Sequence, residues 1–235
     1  MGCKKSERVV AIILAGGSGS RMAADVTKQR MCILGKTVLQ RSVSAFDGCP
    51  AVDEIIIVAR EDELDFARSE ALGFTKVKKI VKGGKSRAES AKMGFLAVED
   101  CESVILIHDA ARCMITSEDI ETVANDVIVY GCATASYPVV DTIKRVNSEQ
   151  CIEATVPRDG LRAVQTPQGC RYALYKEALE ACEDISLATD DNMLLESLGL
   201  KPYCSKTSRT NIKITTMSDI VYAEFLLSGD CSDEK

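Results

Sequence analysis

Short runs of β-branched and other apolar residues recur along the chain, and each predicts a buried strand. The predicted strands span residues 9–14, 54–59, 76–81, 103–109, 132–140 and 211–215. Between them, longer segments carry apolar residues at three-and-four spacing, which is typical of amphipathic helices. The predicted helices span residues 37–46, 61–72, 86–98, 117–130, 171–182, 190–198 and 218–227, the last with Thr216 as its N-cap. This alternation predicts an α/β fold with a mostly parallel sheet and helices on both of its faces.

Residues 141–169 interrupt the alternation, because they combine strand-like pieces with little helical period and no long apolar run. Threonine, isoleucine and valine interleaved with charged residues suit an extended hairpin. A lone hairpin is marginal in water unless it packs on something. Little of the remaining chain is free to cover it. We therefore expect residues 141–165 to form a protruding β-arm that packs on a second subunit.

The chain has 235 residues, enough to bury a sizeable core, and it shows neither an internal repeat nor an interdomain linker. We expect one domain over residues 8–227, with a disordered polar leader at 1–7 and a flexible tail at 228–235. The opening MGCKKS fits the N-myristoylation pattern, which is short and often matched by chance. The longest apolar runs are strand-sized, so no membrane-spanning helix is expected.

Composition narrows the function classes. Hydrophobic residues make up 46% and charged residues 27%, as in ordinary globular proteins. The formal net charge of −6 argues against a general nucleic-acid binder, whereas a phosphorylated small molecule stays open as a ligand. Eleven cysteines without a cleavable signal peptide predict reduced, mostly buried thiols and a cytoplasmic protein. No two cysteines have C-x-x-C spacing and His108 is the only histidine, so a structural zinc site is not expected.

The stretch LAGGSGSRMAADVTKQR, residues 14–30, directly follows the first predicted strand. It lacks the third glycine of a dinucleotide-binding fingerprint and the Gly-Lys-Ser/Thr of a Walker loop. What remains is a loop in which glycines such as Gly17 bring backbone N–H groups close to phosphate, followed by the cations Arg21 and Lys28. The alternative is a solvated loop whose basic residues are incidental.

The segment HDAAR, residues 108–112, follows another apolar strand. In parallel α/β sheets, ligands collect at the carboxyl ends of the strands. Asp109 is therefore placed to hold Mg²⁺ on a triphosphate, with helix capping as the alternative. For His108 a structural role is favoured over a catalytic one, and Arg112 is expected to pair with Asp109 or to contact substrate.

The segment GGKSRAES, residues 83–90, again joins a strand to a helix through a glycine turn. Gly83 and Gly84 would let the backbone approach a flat ligand such as a base, and the Ser90 hydroxyl could hydrogen-bond that ligand. The alternative is an ordinary helix entry with Ser86 as its N-cap.

Together these segments resemble the 2-C-methyl-D-erythritol 4-phosphate cytidylyltransferase family over roughly residues 8–227. The matching stretches, in the family's order, are LAGGSGSRM with Lys28 and Gln29, GGKSRAES, HDAAR, VVDTIKR, TVPRDGL, QTPQ, TDD and NIKIT. The resemblance implies a single-domain nucleotidyltransferase (Rossmann-like) α/β fold and a homodimer clasped by the 141–165 arm. It also implies transfer of a cytidylyl group from CTP to a sugar-alcohol phosphate in non-mevalonate isoprenoid biosynthesis, with Mg²⁺ or another divalent cation as cofactor.

The resemblance further implies roles for individual residues. Arg21 and Lys28 would stabilise the transition state, and Asp109 would ligate the metal. The residues that would bind the nucleotide are Ala15, Gly16, Gly17, Gly84, Ser90 and Asp109. Those that would position the sugar phosphate are Arg112, Asp141, Thr142, Arg158, Thr166, Thr189 and Lys213. Of these, Asp141, Thr142 and Arg158 would reach in from the partner subunit.

The chain departs from the family pattern at a few positions. Thr27 and Cys113 stand where the family usually has proline, and Arg30 stands where an aromatic residue is common. Lys85 and Ser86 replace the usual acidic pair after the glycines. None of these changes removes a proposed catalytic group.

Two other functions stay open. A ribitol-5-phosphate cytidylyltransferase of cell-wall synthesis shares the fold, the CTP loop and a very similar HDA-x-R segment. The Arg-Ala-Glu-Ser sequence after the glycines favours the methylerythritol enzyme over it. A catalytically silent nucleotide-binding module is the more distant alternative, and the joint presence of Arg21, Lys28, Asp109 and Lys213 argues against it.

Overall fold

The fold was analysed in a computed structural model that describes residues 7–17 and 27–228. The strands are β1 (Val9–Leu14), β2 (Cys32–Ile33), β3 (Lys36–Thr37), β4 (Glu54–Ala59), β5 (Val77–Lys82), β6 (Val104–Asp109), β7 (Cys132–Pro138), β8 (Ile143–Val146), β9 (Ile152–Val156), β10 (Arg162–Arg171) and β11 (Tyr203–Lys206). The helices are α1 (Val38–Gly48), α2 (Leu64–Glu70), α3 (Arg87–Leu96), α4 (Ser117–Tyr130), α5 (Tyr172–Ala181), α6 (Asp191–Ser197) and α7 (Met217–Ser228). Short 3-10 turns cover Lys28–Arg30, Glu61–Glu63 and Ile185–Leu187.

Seven strands form the central sheet in the order β11-β7-β10-β6-β1-β4-β5. All neighbouring pairs are parallel except the two that involve β10, which runs antiparallel to β6 and to β7. In β1 all six residues are buried, which explains its unbroken apolar sequence. Its last residue, Leu14, pairs with Asp109 at the end of β6, so the two predicted ligand loops leave the sheet side by side.

Helices cover both faces of the sheet. On one face, side chains of α1, α2 and α4 such as Phe46 and Val123 pack against the odd-numbered residues of β1. On the other face, side chains of α3, α5 and α6 such as Phe95 and Tyr175 pack against the even-numbered ones. The prediction of a single α/β domain with a mostly parallel, doubly covered sheet is confirmed.

The segment beyond β7 forms the expected hairpin. Strands β8 and β9 pair antiparallel, with Ile143 opposite Val156, apart from the central sheet. Ile152 is 64% exposed, so the hairpin leaves apolar surface uncovered in this chain. The last residues of the predicted arm, 162–165, belong to β10 of the central sheet. Packing of the hairpin on a second subunit stays a prediction.

The predicted strand at residues 211–215 is wrong, because this stretch lies outside the sheet and belongs to no helix or strand. Individual hydrogen bonds hold this stretch to β10 and to the segment after β6. The fully buried Asn211 side chain donates to the Thr166 carbonyl at 2.8 Å, and the Ile214 N–H donates to the Ala111 carbonyl at 2.8 Å. Strand β11 was not predicted, and most of β10 was predicted only as part of the extended segment 141–169, not as a strand of the central sheet.

The thiol prediction is only partly right. The nine cysteines in the described ranges are all free, and Cys49, Cys113, Cys132 and Cys170 are buried, so buried thiols are not the majority among the described cysteines. Four others are exposed, in or beside edge strands and turns. Within the described part of the chain, no helix is both long and apolar enough to cross a membrane. The leader up to residue 6, the tail from residue 229 and residues 18–26 lie outside the described residues.

Candidate active site

A cleft of about 310 Å³ opens at the carboxyl ends of β1 and β6 and beside the turn after β5. Its walls come from several loops that are distant in sequence. The lining residues are Leu14, Gly16, Gly17, Gln29, Gly84, Lys85, Ser86, Arg87, Ser90, Asp109, Ala111 and Lys213. Six residues predicted to bind nucleotide or sugar phosphate therefore share one cavity, namely Gly16, Gly17, Gly84, Ser90, Asp109 and Lys213.

The turn before α3 forms one wall of the cleft. The Gly84 N–H donates to Ser90 Oγ at 3.1 Å, and that hydroxyl donates to the Ser86 carbonyl at 2.8 Å. Ser86 Oγ accepts the Glu89 N–H at 3.1 Å, so Ser86 is also the N-cap of α3. A Cβ at Gly84 would lie 2.3 Å from Glu89 Cβ, and only glycine fits there. Ser86 is therefore the predicted N-cap, while contact of this turn with a base stays a prediction.

Asp109 lies between two cations at the end of β6. Its Oδ1 accepts from Arg87 Nε at 2.9 Å and its Oδ2 accepts from Lys213 Nζ at 2.7 Å. Burial alone would raise the pKa of Asp109, but Arg87 and Lys213 outweigh it and hold the pKa well below its ordinary value. Asp109 is therefore an anion at neutral pH. The alternative of a helix cap is wrong, because α4 begins at Ser117 and is capped by Thr116.

Arg87 joins Asp109 to a second carboxylate. Its Nη1 donates to Asp191 Oδ2 at 2.8 Å, at the start of α6. Burial disfavours the charged form of Arg87, but the two carboxylates outweigh it and raise its pKa above the ordinary value. Arg87 stays charged and links α3 to β6 and α6.

Behind Asp109, the chain places two buried polar groups. Thr166 Oγ1 accepts the Asp109 N–H at 3.0 Å and lies 3.1 Å from His108 Nδ1. The His108 ring is fully buried, 4.9 Å from the Phe46 ring. Burial lowers the pKa of His108 to about 3, so the ring is neutral and has no access to solvent. His108 has the structural role favoured from the sequence, and Thr166 fixes the backbone that carries Asp109.

The first glycine loop is described only in part. The Ala15 N–H donates to the Val58 carbonyl at 2.7 Å, which holds the buried start of the loop against β4. Gln29 lies within reach of Gly17, since a Cβ added there would be 3.4 Å from Gln29 Nε2. Lys28 begins the 3-10 turn that contains Gln29 and is half-buried. Arg21 lies outside the described residues.

Arg112 lies beside the cleft in a buried polar cluster. Its Nη1 donates to the Asn211 carbonyl at 3.0 Å, and Gln165 Nε2 donates to the same carbonyl at 3.0 Å. Arg112 meets Asp109 through the backbone, because the Arg112 N–H donates to the Asp109 carbonyl at 2.9 Å. The cluster fixes the segment that carries Lys213.

Four predicted sugar-phosphate residues lie on the surface of this chain. Asp141, Thr142 and Arg158 are exposed at the base of the hairpin, where the Arg158 guanidinium donates to the Val140 carbonyl. Thr189 is exposed just before α6, with its hydroxyl 3.8 Å from the Met193 sulfur. Their roles stay predictions.

Two departures from the family pattern, Arg30 and Thr27, make local contacts. Arg30 donates through Nε to Glu63 Oε2 at 3.0 Å, and its guanidinium lies 4.3 Å from the centre of the Phe66 ring. Thr27 Oγ1 also lies 3.4 Å from Glu63 Oε1. Arg30 and Thr27 thus tie the turn around Lys28 to the segment before and within α2.

The cleft suits a magnesium ion that arrives with phosphate. Mg²⁺ prefers oxygen ligands and is usually held by one or two carboxylates together with substrate phosphates. Asp109 supplies such a carboxylate, and each of its oxygens keeps a lone pair beyond the bond it accepts. The described residues contain no group of three or more His, Cys, Asp or Glu side chains able to hold a metal. The ion would therefore depend on the nucleotide for most of its ligands.

Sequence reasoning missed Arg87 and Asp191 as members of the site. Both stand inside quoted motifs, RAES and TDD, but their pairing joins residues 104 positions apart. The position of Arg87 in the sequence could have indicated that it belongs to the site. Arg87 is the first residue of a helix that follows a glycine turn beside the predicted base site.

Known proteins similar to this chain identify its family. The model of the IspD family, 2-C-methyl-D-erythritol 4-phosphate cytidylyltransferase, matches residues 9–229. Proteins of that name from Clostridium acetobutylicum and Clostridium perfringens are 40% and 38% identical over 221 residues, covering 92% of this chain and 96% and 97% of their own. The crystal structure of 4-diphosphocytidyl-2C-methyl-D-erythritol synthase from Anaerococcus prevotii has a TM-score of 0.83 at 26% identity, covering 95% of this chain and 100% of that one. The chain therefore belongs to the 2-C-methyl-D-erythritol 4-phosphate cytidylyltransferase family.

Proposed function

We propose that the protein transfers the cytidylyl group of CTP to 2-C-methyl-D-erythritol 4-phosphate. The products are 4-diphosphocytidyl-2-C-methyl-D-erythritol and pyrophosphate. The observation that carries this proposal is the position of Asp109, a buried anion between Arg87 and Lys213 in a glycine-lined cleft. In a chain of this family, that arrangement suits a nucleoside triphosphate.

The reaction needs no general base. An oxygen of the sugar-phosphate monoester attacks the α-phosphorus of CTP, and the bond to the β-phosphate bridging oxygen breaks. The second pKa of a phosphate monoester is near 6, so the nucleophile is largely dianionic at neutral pH. His108, the only histidine, is buried and neutral, which fits a mechanism without proton abstraction by histidine.

Catalysis then rests on alignment and on charge. Both substrates are anionic, so cations must offset their repulsion and the charge that develops at the α-phosphoryl group. We assign Lys28 and Arg21 to the triphosphate and Lys213 to the sugar phosphate. The turn around Gly84 and Ser90 supplies the surface for the cytosine ring.

We further propose that the cofactor is Mg²⁺ held by Asp109. Such an ion, when bound, offsets the negative charge of the triphosphate. The Asp109 backbone is fixed by Thr166, and its carboxylate is already ionised, so the chain presents a formed anionic ligand.

We also propose a homodimer in which the hairpin completes the partner's site. The exposed apolar side chains of β8 and β9, among them Val146 and Ile152, favour packing on another surface. Asp141, Thr142 and Arg158 stand exposed at the hairpin base, where a second chain could contact them. The enzyme would act in the cytoplasm.

The test separates the three functions considered from the sequence. The protein is incubated with CTP, Mg²⁺ and either 2-C-methyl-D-erythritol 4-phosphate or ribitol 5-phosphate, and pyrophosphate release is measured. Mass spectrometry identifies the nucleotide product. We expect release with the methylerythritol substrate, and none when CTP or the metal is left out. Release with ribitol 5-phosphate alone would support the cell-wall enzyme, and no release with either would support a silent binding module.

A further inference from the structure

Arg87 is held between two carboxylates that face different parts of the molecule. Its Nε donates to Asp109 Oδ1 in the cleft at 2.9 Å, and its Nη1 donates to Asp191 Oδ2 at 2.8 Å. A planar guanidinium bonded on two edges has little freedom to rotate. The direction of Asp109 Oδ1 is thereby tied to the position of Asp191.

Hydrogen bonds hold both carboxylate oxygens and the backbone N–H of Asp191. Its side chain is only 4% exposed, and its Oδ1 accepts from the Tyr175 hydroxyl at 2.7 Å. The Asp191 N–H donates to Gln168 Oε1 at 2.8 Å, while Gln168 Nε2 donates to Asp190 Oδ2 at 2.9 Å. Residues of α5, α6 and β10 therefore hold the carboxylate that holds Arg87.

The cation bonded to Asp109 Oδ2 is more exposed than the cation bonded to Oδ1. Lys213, which bonds Oδ2, has a side chain 45% exposed, against 28% for Arg87. A lysine on a flexible stem makes a single point contact that exchanges with solvent or substrate, whereas the less exposed Arg87 guanidinium is bonded to two carboxylates. One oxygen of Asp109 is thus rigidly held, and the other faces a cation that can leave.

We infer that Arg87 is a positioning residue for the proposed cytidylyl transfer: it fixes Oδ1 of Asp109 so that Oδ2 faces the nucleotide, and Asp191 and Tyr175 hold it in place. The inference rests on the proposed function. Groups that orient a metal-binding or charge-bearing side chain typically change affinity or activity by about 10- to 100-fold when altered. Tyr175 belongs to the same series of contacts although it lies on the far side of Asp191 from Asp109.

Arg87→Lys and Tyr175→Phe test this role. Lysine keeps the charge but cannot bond both carboxylates in one plane, and phenylalanine keeps the buried ring but removes the hydroxyl. Matched controls are Lys92→Arg on the exposed face of α3 and Tyr222→Phe on the exposed face of α7. For each protein, kcat and KM for both substrates are measured after circular dichroism and gel filtration show that it is folded.

We expect Arg87→Lys to lower kcat by about 10- to 100-fold while KM for the sugar phosphate changes by less than about threefold. Tyr175→Phe should lower kcat in the same direction by a smaller factor. Because Tyr175 reaches Asp109 only through Asp191 and Arg87, the double variant should lose no more than Arg87→Lys alone. The two controls should match the wild type.

A second readout does not depend on turnover. Calorimetry of CTP binding with and without Mg²⁺ should show that Arg87→Lys weakens the Mg²⁺-dependent gain in affinity by about tenfold. The affinity for CTP alone should change little.

The inference is overturned if folded Arg87→Lys keeps the wild-type kcat and the wild-type gain from Mg²⁺. It is also overturned if the effects of Arg87→Lys and Tyr175→Phe multiply in the double variant, because they would then be independent. An ion pair that serves only stability would lower the melting temperature and leave both readouts unchanged. A wild-type protein that releases no pyrophosphate would contradict the proposed function instead, while the binding experiment would still test Arg87.

Discussion

Lys213 Nζ donates to Asp109 Oδ2 at 2.7 Å, although the two residues lie 104 positions apart along the chain. In the wall of the cleft, this contact joins the end of β6 to the segment before α7. It also means that the cation predicted to hold the sugar phosphate and the anion predicted to hold the metal neutralise each other in this conformation. In the proposed complex, Lys213 would instead pair with the sugar phosphate and Asp109 with the metal.

Replacing Lys213 should therefore affect the sugar phosphate more than the fold. We expect Lys213→Met to raise KM for the sugar phosphate by about 10- to 100-fold, as for loss of one charge-assisted hydrogen bond. The fold should survive, because Arg87 still pairs with Asp109. Steady-state kinetics check this, with Lys206→Met on the exposed side of β11 as control. An unchanged KM would remove Lys213 from the site.

Lys28 is the described cation assigned to the triphosphate. We expect Lys28→Ala to lower turnover by at least about 100-fold, the usual cost of losing one donor to a developing charge. Lys36→Ala, on the exposed strand β3, is the control. Near-normal turnover in a folded Lys28→Ala protein would contradict the assignment.

The shared site predicts complementation between two damaged chains. Arg158→Ala should raise KM for the sugar phosphate, and Lys28→Ala should abolish most turnover. If Arg158 acts in the partner's cleft, a mixed dimer of the two variants contains one site with both residues intact. At a sugar-phosphate concentration well below the KM of Arg158→Ala, the mixed and refolded proteins should therefore show more activity than the sum of the two separate variants. Absence of restoration in a mixture shown to contain mixed dimers, or full activity in a monomer, would contradict the shared site.

Gly84 leaves no room for a side chain, since an added Cβ would meet Glu89 Cβ at 2.3 Å. Gly84→Ala must shift the turn that forms the proposed base site. We expect KM for CTP to rise by about tenfold or more, while KM for the sugar phosphate stays within a factor of about two. Gly48→Ala is the control, because a Cβ there meets nothing within 4 Å. Equal CTP affinity in both variants would argue that the turn does not contact the nucleotide.

The buried His108 predicts a pH dependence of stability. Burial lowers its pKa to about 3 in the folded protein, whereas in the unfolded chain it is about 6.5. Below pH 6.5 the unfolded state takes up a proton that the folded state does not. The free energy of unfolding should therefore fall by up to about 1.4 kcal/mol per pH unit between roughly pH 6 and pH 4.

Urea unfolding of the wild type and His108→Gln at pH 7, 6 and 5 checks this slope. The variant is expected to be less stable at pH 7, because it loses the contact with Thr166, but to change less with pH. No other histidine contributes in this window. Equal slopes for the two proteins would show that His108 takes up its proton in the folded state too.

The local pattern of apolar and polar residues predicted an element correctly where that pattern alone shows which faces are buried. The predicted strands 9–14 and 54–59 and the predicted helix 117–130 match β1, β4 and α4 residue for residue. Apart from Glu54 at the start of β4, both strands are buried on two faces and apolar, and the helix carries a clear apolar stripe and a threonine cap. Pattern failed where pairing with distant strands decides. β10 contains many polar residues. It is a strand because it pairs antiparallel with both β6 and β7, which are distant from each other in sequence.

The sequence by itself determined the α/β class, the hairpin after β7 and the loops that carry Gly16, Gly84 and Asp109, because spacing along the chain encodes them. Only the tertiary structure decided which side chains face one another. Arg87 meets Asp191, and Asp109 meets Lys213, across 104 positions in each case. The physical reason is that buried charges need partners, and the fold rather than the neighbouring sequence brings those partners within hydrogen-bond distance.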